Sequence, residues 1–254
     1  MSGAHAHALH YHGHSPLHRA APQVKLAGLV LFVLAVVMTP PVAVWAFSIY
    51  AAILVALVGV ASIPPRFFLT RLSIDLPFVL FAFLLPFFGE GPRVDLGFLS
   101  LSSAGLLAAW NILVKATLGA GASVLLAATT EVSDIITGLR KLKVPIVLTA
   151  IAAFMIRYLD VIAGEMRRTR IAMKARGYDP SWIAQVGPLA TAAGALFIRS
   201  YERGERVHQA MMARGFVGEF PAALDDREEI VRWWPAMAPV LIAWATMVMA
   251  SLIT

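Results

Sequence analysis

The sequence predicts an all-α protein: a polytopic membrane helix bundle of about five spans with a cytoplasmic helical coupling segment. Three observations carry that reading. Hydrophobic residues make up 59% of the 254 and charged ones only 14%, with a mean hydropathy of +0.75, more apolar surface than a soluble core can bury. Left in water, that surface would cost about 25 cal/mol per Å². No charged residue or histidine occurs from Leu26 to Pro65. Finally, 15 of the 21 Lys and Arg fall between residues 131 and 232, as expected of a segment held on the cytoplasmic side.

Residues 1–23 form a His-rich cytoplasmic tail without the cleavage pattern of a signal peptide. As helix, Leu26 to Pro65 would be about 60 Å long, enough for two crossings of a hydrocarbon core about 30 Å thick. Thr39-Pro40-Pro41 marks the turn between them, because proline ends one helix and opens the next. Spans are expected near 25–39 and 42–62. Pro64 to Arg71 reads as a short basic loop, Ile74 to Phe88 as a third span, and Glu90 to Asp95 as the next turn. A fourth span covers Ser103 to Thr130, with Lys115 its one charge, and a last span runs from Trp234 to Thr254. The expected organisation is thus a tail (1–23), a four-span membrane region (24–130), a cytoplasmic coupling region (131–232) and a final transmembrane helix (233–254).

Two stretches are ambiguous. Val144 to Ile156 is shorter than the roughly 17–25 residues a span needs, and Trp182 to Ile198 contains Gln185 and Gly187-Pro188. Both read as helices against the membrane surface or packed within the coupling region. With the N-terminus inside, Arg19, Lys25, Arg66, Arg71 and the 15 cations of 131–232 are all cytoplasmic, and Arg93 alone lies outside. A span at 144–156 would export Arg157, Arg167, Arg168, Arg170, Lys174 and Arg176, against the positive-inside tendency.

Several function classes fall away. The net charge of +6 is what orienting loops require, so it implies no nucleic acid. The absence of cysteine removes disulfides, thiolate metal sites and cysteine nucleophiles. No Gly-x-x-x-x-Gly-Lys-Ser/Thr loop is present, so the chain is not expected to hydrolyse ATP itself. The spans lack paired carboxylates, a His cluster or an acidic relay, which argues against a membrane-embedded enzyme or a proton-driven secondary carrier. Lys115 is expected to snorkel or to pair within the bundle.

An internal repeat stands out. Ile-Ala-Met-Lys-Ala-Arg-Gly-Tyr ends at Tyr178, and Gln-Ala-Met-Met-Ala-Arg-Gly-Phe ends 38 residues later at Phe216. Thr169, Ala172, Met173 and Arg176 share one helical stripe, as do Val207, Ala210, Met211 and Arg214. Gly177 and Gly215 fall where a helix ends in a left-handed residue. Each copy reads as a helix end bearing a small apolar patch with a guanidinium at its tip, suited to a groove that offers an acidic residue.

Two Ala-Arg-Gly elements ahead of the last span resemble the signature of the T component of energy-coupling-factor transporters, the CbiQ/EcfT family. Ala21-Pro22-Gln23-Val24-Lys25-Leu26 is similar to the family's Pro-Arg-x-Lys-Leu approach to the first span, with Gln23 replacing the arginine. Thr129-Thr130 through Leu139-Arg140-Lys141-Leu142-Lys143-Val144-Pro145 is similar to its segment after the fourth span, with Glu131 where proline is common. The resemblance implies a non-catalytic subunit of an ATP-driven transporter in the bacterial cytoplasmic (inner) membrane. It would link a CbiM-like substrate-binding membrane subunit to a pair of CbiO-like ABC-type ATPases. Carried over by position, Arg176 and Arg214 would couple to the ATPases, with Ala175, Gly177, Ala213 and Gly215 allowing close approach.

His5, His7, His10, His12 and His14 alternate within the tail, and such imidazoles can chelate Co²⁺ or Ni²⁺. That favours cobalt among the substrates the resemblance allows, with nickel, biotin or another vitamin as alternatives.

Overall fold

The computed structural model describes residues 15–88, 93–96, 99–178, 180, 182, 185–216 and 233–253. In chain order the helices are α1 (Pro16–Arg19), α2 (Pro22–Met38), α3 (Val44–Val60), α4 (Pro65–Leu72), α5 (Leu76–Phe88), α6 (Ser103–Thr129), α7 (Val132–Lys141), α8 (Ile146–Ala175), α9 (Gly187–Ala213) and α10 (Trp233–Ile253). A 3₁₀ turn, Ser73–Asp75, joins α4 to α5. The fold is the expected all-α membrane helix bundle. Pro65–Phe87, Ser103–Thr129 and Ile146–Ala175 are long and apolar enough to cross a membrane, and Pro22–Met38, Val44–Val60 and Met237–Ile253 are shorter apolar helices.

Proline sets several boundaries. Pro22 occupies the first turn of α2, where its missing N–H would have no partner in any case. Pro40-Pro41 follows the end of α2, and Ala43 caps α3. The segment read as a basic loop, Pro64 to Arg71, is instead helical: Pro64 caps α4 and Pro65 starts it. Gly187-Pro188, read as an interruption, is the beginning of α9 for the same reason. The helix that begins at Ile146 does not stop at Ile156. It runs unbroken for 30 residues, because Arg157 and the charged residues beyond it are good helix formers.

Not every element is helical. Arg93–Leu96 and Leu99–Ser102 pair as an antiparallel hairpin, β1 and β2, with Arg93 opposite Ser102 and Leu96 opposite Leu99. Leu99-Ser100-Leu101-Ser102 has the period-2 alternation of a strand, and lies between the expected turn and the expected fourth span.

The chain divides into two compact units. One contains residues 15–142 and 233–253, and the other contains 143–216. In the first, α2 packs against α6, α7 and α10. Phe32, Val36, Phe47, Tyr50, Leu118 and Met247 are buried in its core. Polar groups in such a core need internal partners, because lipid offers none. Tyr50 Oη bonds Thr39 Oγ1 at 2.8 Å and donates to the Ala243 carbonyl at 3.3 Å, while Thr39 Oγ1 donates to the Ala35 carbonyl at 2.8 Å. Trp244 Nε1 donates to the Leu31 carbonyl at 3.1 Å, tying α10 to α2.

Lys25 and Lys115 each donate to a carbonyl at a helix end. Lys115 Nζ donates to the Val37 carbonyl at 2.8 Å, and Lys25 Nζ to the Thr129 carbonyl at 2.9 Å. Both acceptors belong to last turns, where carbonyls lack helical partners and a cation is favoured. Lys115 is therefore paired within the bundle.

α7 docks on the start of α2 through Gly138. A β-carbon there would lie 2.8 Å from Leu26 Cδ1 and 3.0 Å from the Gln23 backbone nitrogen. The compact unit that carries the repeats begins after α7, at residue 143. On α5, Ala82 is buried while Phe78, Leu80, Phe81 and Phe83 are exposed, as suits a helix apolar on every side in contact with lipid.

Candidate functional site

The second unit brings the two repeats together on α8 and α9. The helices are joined by an ionic contact. Glu165 on α8 pairs through Oε1 with Arg199 Nε at 3.0 Å and through Oε2 with Arg203 Nη2 at 3.3 Å on α9. Glu165 and Arg203 are 38 residues apart, the spacing of the repeat, so the contact links equivalent positions of its two copies.

From that crossing the helices run in opposite senses. Tyr158 and Ile162 share a cleft with Ser200, Arg203 and Gly204. Farther toward the start of α8, Phe154 and Tyr158 line a cavity of about 240 Å³ with Val207, His208, Met211 and Phe216. Arg176 and Arg214 each stand eleven residues beyond the crossing, about 16 Å of helix. The two arginine tips therefore leave the crossing in opposite directions.

The tips have the same backbone. Gly177 has φ +82° and Gly215 φ +80°, the left-handed conformation that the sequence predicted. At the first tip, the Gly177 N–H donates to the Lys174 carbonyl at 3.0 Å and the Tyr178 N–H to the Met173 carbonyl at 3.1 Å. At the second, Gly215 donates to Met212 and Phe216 to Met211, both at 3.0 Å. These are paired Schellman caps. That motif commonly carries an apolar contact between the residues occupied here by methionine and the aromatic ring, and both are half-buried at each tip. Met211 and Phe216 also line one cavity.

Capping thus explains more of the repeat than the sequence suggested: methionine and the aromatic occupy the two ends of the Schellman cap and are half-buried at both tips. The surface offered outward is Ala175-Arg176-Gly177 and Ala213-Arg214-Gly215, exposed at every position. Among the described residues no carboxylate pairs with either guanidinium. Among the described residues, a β-carbon at Gly177 or Gly215 would meet nothing within 4 Å. These glycines are needed for their φ, while the open space above them leaves room for another surface to approach. Gly177→Ala and Gly215→Ala should each cost about 1 kcal/mol by forcing a β-carbon into left-handed geometry. Amide exchange should then quicken over the last turn of α8 or α9 and leave α2–α6 unchanged.

The sequence profile of CbiQ, described as a cobalt transport protein, matches residues 13–222. The chain belongs to the CbiQ family. The energy-coupling factor transporter transmembrane protein EcfT of Listeria innocua is 26% identical over 92% of this chain and 92% of its own length. EcfT of Bacillus subtilis is 28% identical over 81% of this chain and 82% of its own. A putative fused cobalt transport protein, CbiMQ of Methanocorpusculum labreanum, is 26% identical over 89% of this chain and 39% of its own length. This CbiQ-family protein is accordingly a multi-pass membrane protein and a transmembrane component of an energy-coupling-factor transporter.

Of the residues singled out from the sequence of this CbiQ-family chain, the structure groups Ala175, Arg176 and Gly177 at one tip and Ala213, Arg214 and Gly215 at the other. His5, His7, His10, His12 and His14 lie outside the described residues. Sequence reasoning missed Glu165, Arg199 and Arg203. The signal was present: adding the repeat spacing to Glu165 reaches Arg203, an acid and a base at equivalent positions.

Proposed function

We propose that this protein couples the motion of an ABC-type ATPase pair to a substrate-binding membrane subunit, each Ala-Arg-Gly tip entering a groove on one ATPase. The observation that supports this reading best is the matching geometry of the tips. Both present an exposed guanidinium on a rigidly capped helix end, and they leave the Glu165 crossing in opposite directions, as two separate docking partners require. An arginine fork recognises a carboxylate with two parallel hydrogen bonds, so each groove is expected to supply an acidic residue. When ATP closes the dimer, a displacement of the grooves would be carried by α8 and α9 as levers, provided that the tips contact the two ATPase states differently.

Cobalt ion is the proposed cargo. The description of the matching family and the name of the CbiMQ relative support it, together with the histidines of the tail. Orientation follows from charge: with Arg140, Lys141, Arg167, Arg168, Arg170 and Lys174 cytoplasmic, the N-terminus is inside and the tips face the ATPases from the inner membrane. The test is uptake of radiolabelled Co²⁺ by cells expressing the chain with its neighbouring ATPase and membrane genes. Accumulation that requires all the subunits and stops when the ATPase phosphate-loop lysine is replaced supports the assignment. ATP-independent flux through this chain alone contradicts it, and coupled uptake of another substrate overturns only the choice of cargo.

The tail is proposed to concentrate Co²⁺ or Ni²⁺ near the transporter through His5, His7, His10, His12 and His14. Removing residues 1–14 should abolish calorimetric Ni²⁺ binding by the purified protein. Unchanged binding would place the metal elsewhere.

A further inference from the structure

A cavity of about 90 Å³ lies inside the first unit, between α1, α2, α3, α6 and α10. Its walls are apolar, formed by residues including Val24, Leu29, Phe32, Leu54, Leu125 and Val240, whereas Lys25 and Thr129 supply polar atoms. For comparison, a 150 Å³ apolar cavity admits benzene, so this one has room for a short run of methylenes. Water is poorly suited to it, because a buried water needs two to four polar partners.

The polar lining has a particular place. Lys25 stands in the first turn of α2, and Thr129 is the last residue of α6, so this end of the cavity lies where apolar helices meet the membrane boundary. Two of the three ammonium donors go to the His18 and Thr129 carbonyls, at 3.0 and 2.9 Å, which leaves a third. Asp134 on α7 is near enough to act on the ammonium electrostatically. A cation lining an apolar slot, in the first turn of an apolar helix, has the chemistry of an anionic lipid site. Gly28 also lines the cavity, and a β-carbon there would come no nearer than 3.7 Å to Val240. A larger side chain at Gly28 would therefore extend into the slot instead of meeting backbone.

We propose that this cavity holds part of one acyl chain of an anionic phospholipid whose phosphate rests on Lys25. The lipid would fill the space between α2, α6 and α10 and complete the packing of the bundle.

The test is lipid retention, measured by mass spectrometry on the full-length protein purified from nanodiscs of equal phosphatidylglycerol and phosphatidylcholine. Wild type should keep about one phosphatidylglycerol per chain, with a preference of about fivefold, the scale of one lysine at a membrane surface. Lys25→Met should remove the preference, Lys25→Arg should keep it, and Gly28→Leu should lose the retained lipid while the helical content is unchanged. Inorganic phosphate, tested alone, should give no thermal stabilisation. Retention that ignores headgroup in wild type, or a preference that survives Lys25→Met, would overturn the proposal. So would stabilisation by phosphate matching that of the lipid, or lipid uptake that appears only after residues 1–14 are removed, since the cavity would then belong to the chain's own tail.

Discussion

Replacing Arg176 and Arg214 together with alanine should abolish recovery of the ATPase subunits with this protein and, with it, ATP-driven uptake. Each guanidinium is exposed at the end of a capped helix, so neither replacement removes a contact within the described chain. Truncating one member of a desolvated charge pair at an interface costs about 2–5 kcal/mol. Two such losses, at the lower end, weaken association about a thousandfold. The single variants should retain partial recovery, because the tips point away from one another and, on the proposed function, would meet separate surfaces. Pull-down from detergent extracts measures the loss, and the unchanged thermal transition of the isolated double variant would show that folding is intact.

The second large effect is expected at Glu165. Its carboxylate ties α8 to α9 through two arginines, with a side-chain exposure of 18% against 51% for Arg199 and 34% for Arg203. Among the described residues, Arg203 Nη1 is buried without a partner, and no second carboxylate joins the cluster. Glu165→Arg would place a third cation in the contact. Because Arg199 is half in water, the cost is well below that of a fully buried pair, about 1–2 kcal/mol. That suffices to let the two helices swing. Spin labels at Lys174→Cys and Met212→Cys should then report a broadened distance distribution, and uptake should fall about tenfold. The exchange Glu165→Arg with Arg203→Glu should restore most of both. Restored stability without restored uptake would indicate that the pair holds the unit together but does not set the tips.

Much of the fold could be read from sequence because its strongest signals are local. The uncharged stretch from Leu26 to Pro65 and the prolines at 40 and 41 specify two helices within a few residues of those observed. The left-handed glycines at 177 and 215 follow from helix-end chemistry alone. What escaped reading depends on context. Pro64-Pro65 suits either a loop or the first turn of a helix. Leu99 to Ser102 is too short to separate strand pairing from the start of a span. The docking of α7 depends on Gly138 meeting the backbone of α2, more than a hundred residues earlier in the chain. At the tips, Met173 and Met211 read as part of a docking patch because only coordinates show that they are half-buried members of a Schellman cap. The Glu165 contact is long-range, and only the repeat spacing hints at it.

The most direct test of ATPase coupling exploits the absence of cysteine from the chain. Single cysteines at Lys174, Met212 and, as a control, Leu252 on the exposed end of α10 would carry a short photo-cross-linker in membranes that contain the co-expressed partners. Coupling through the tips predicts ATPase adducts from Lys174→Cys and Met212→Cys, none from Leu252→Cys, and a change in yield when ATP is trapped. No ATPase adduct at either tip, or equal yields from all three positions, would contradict it.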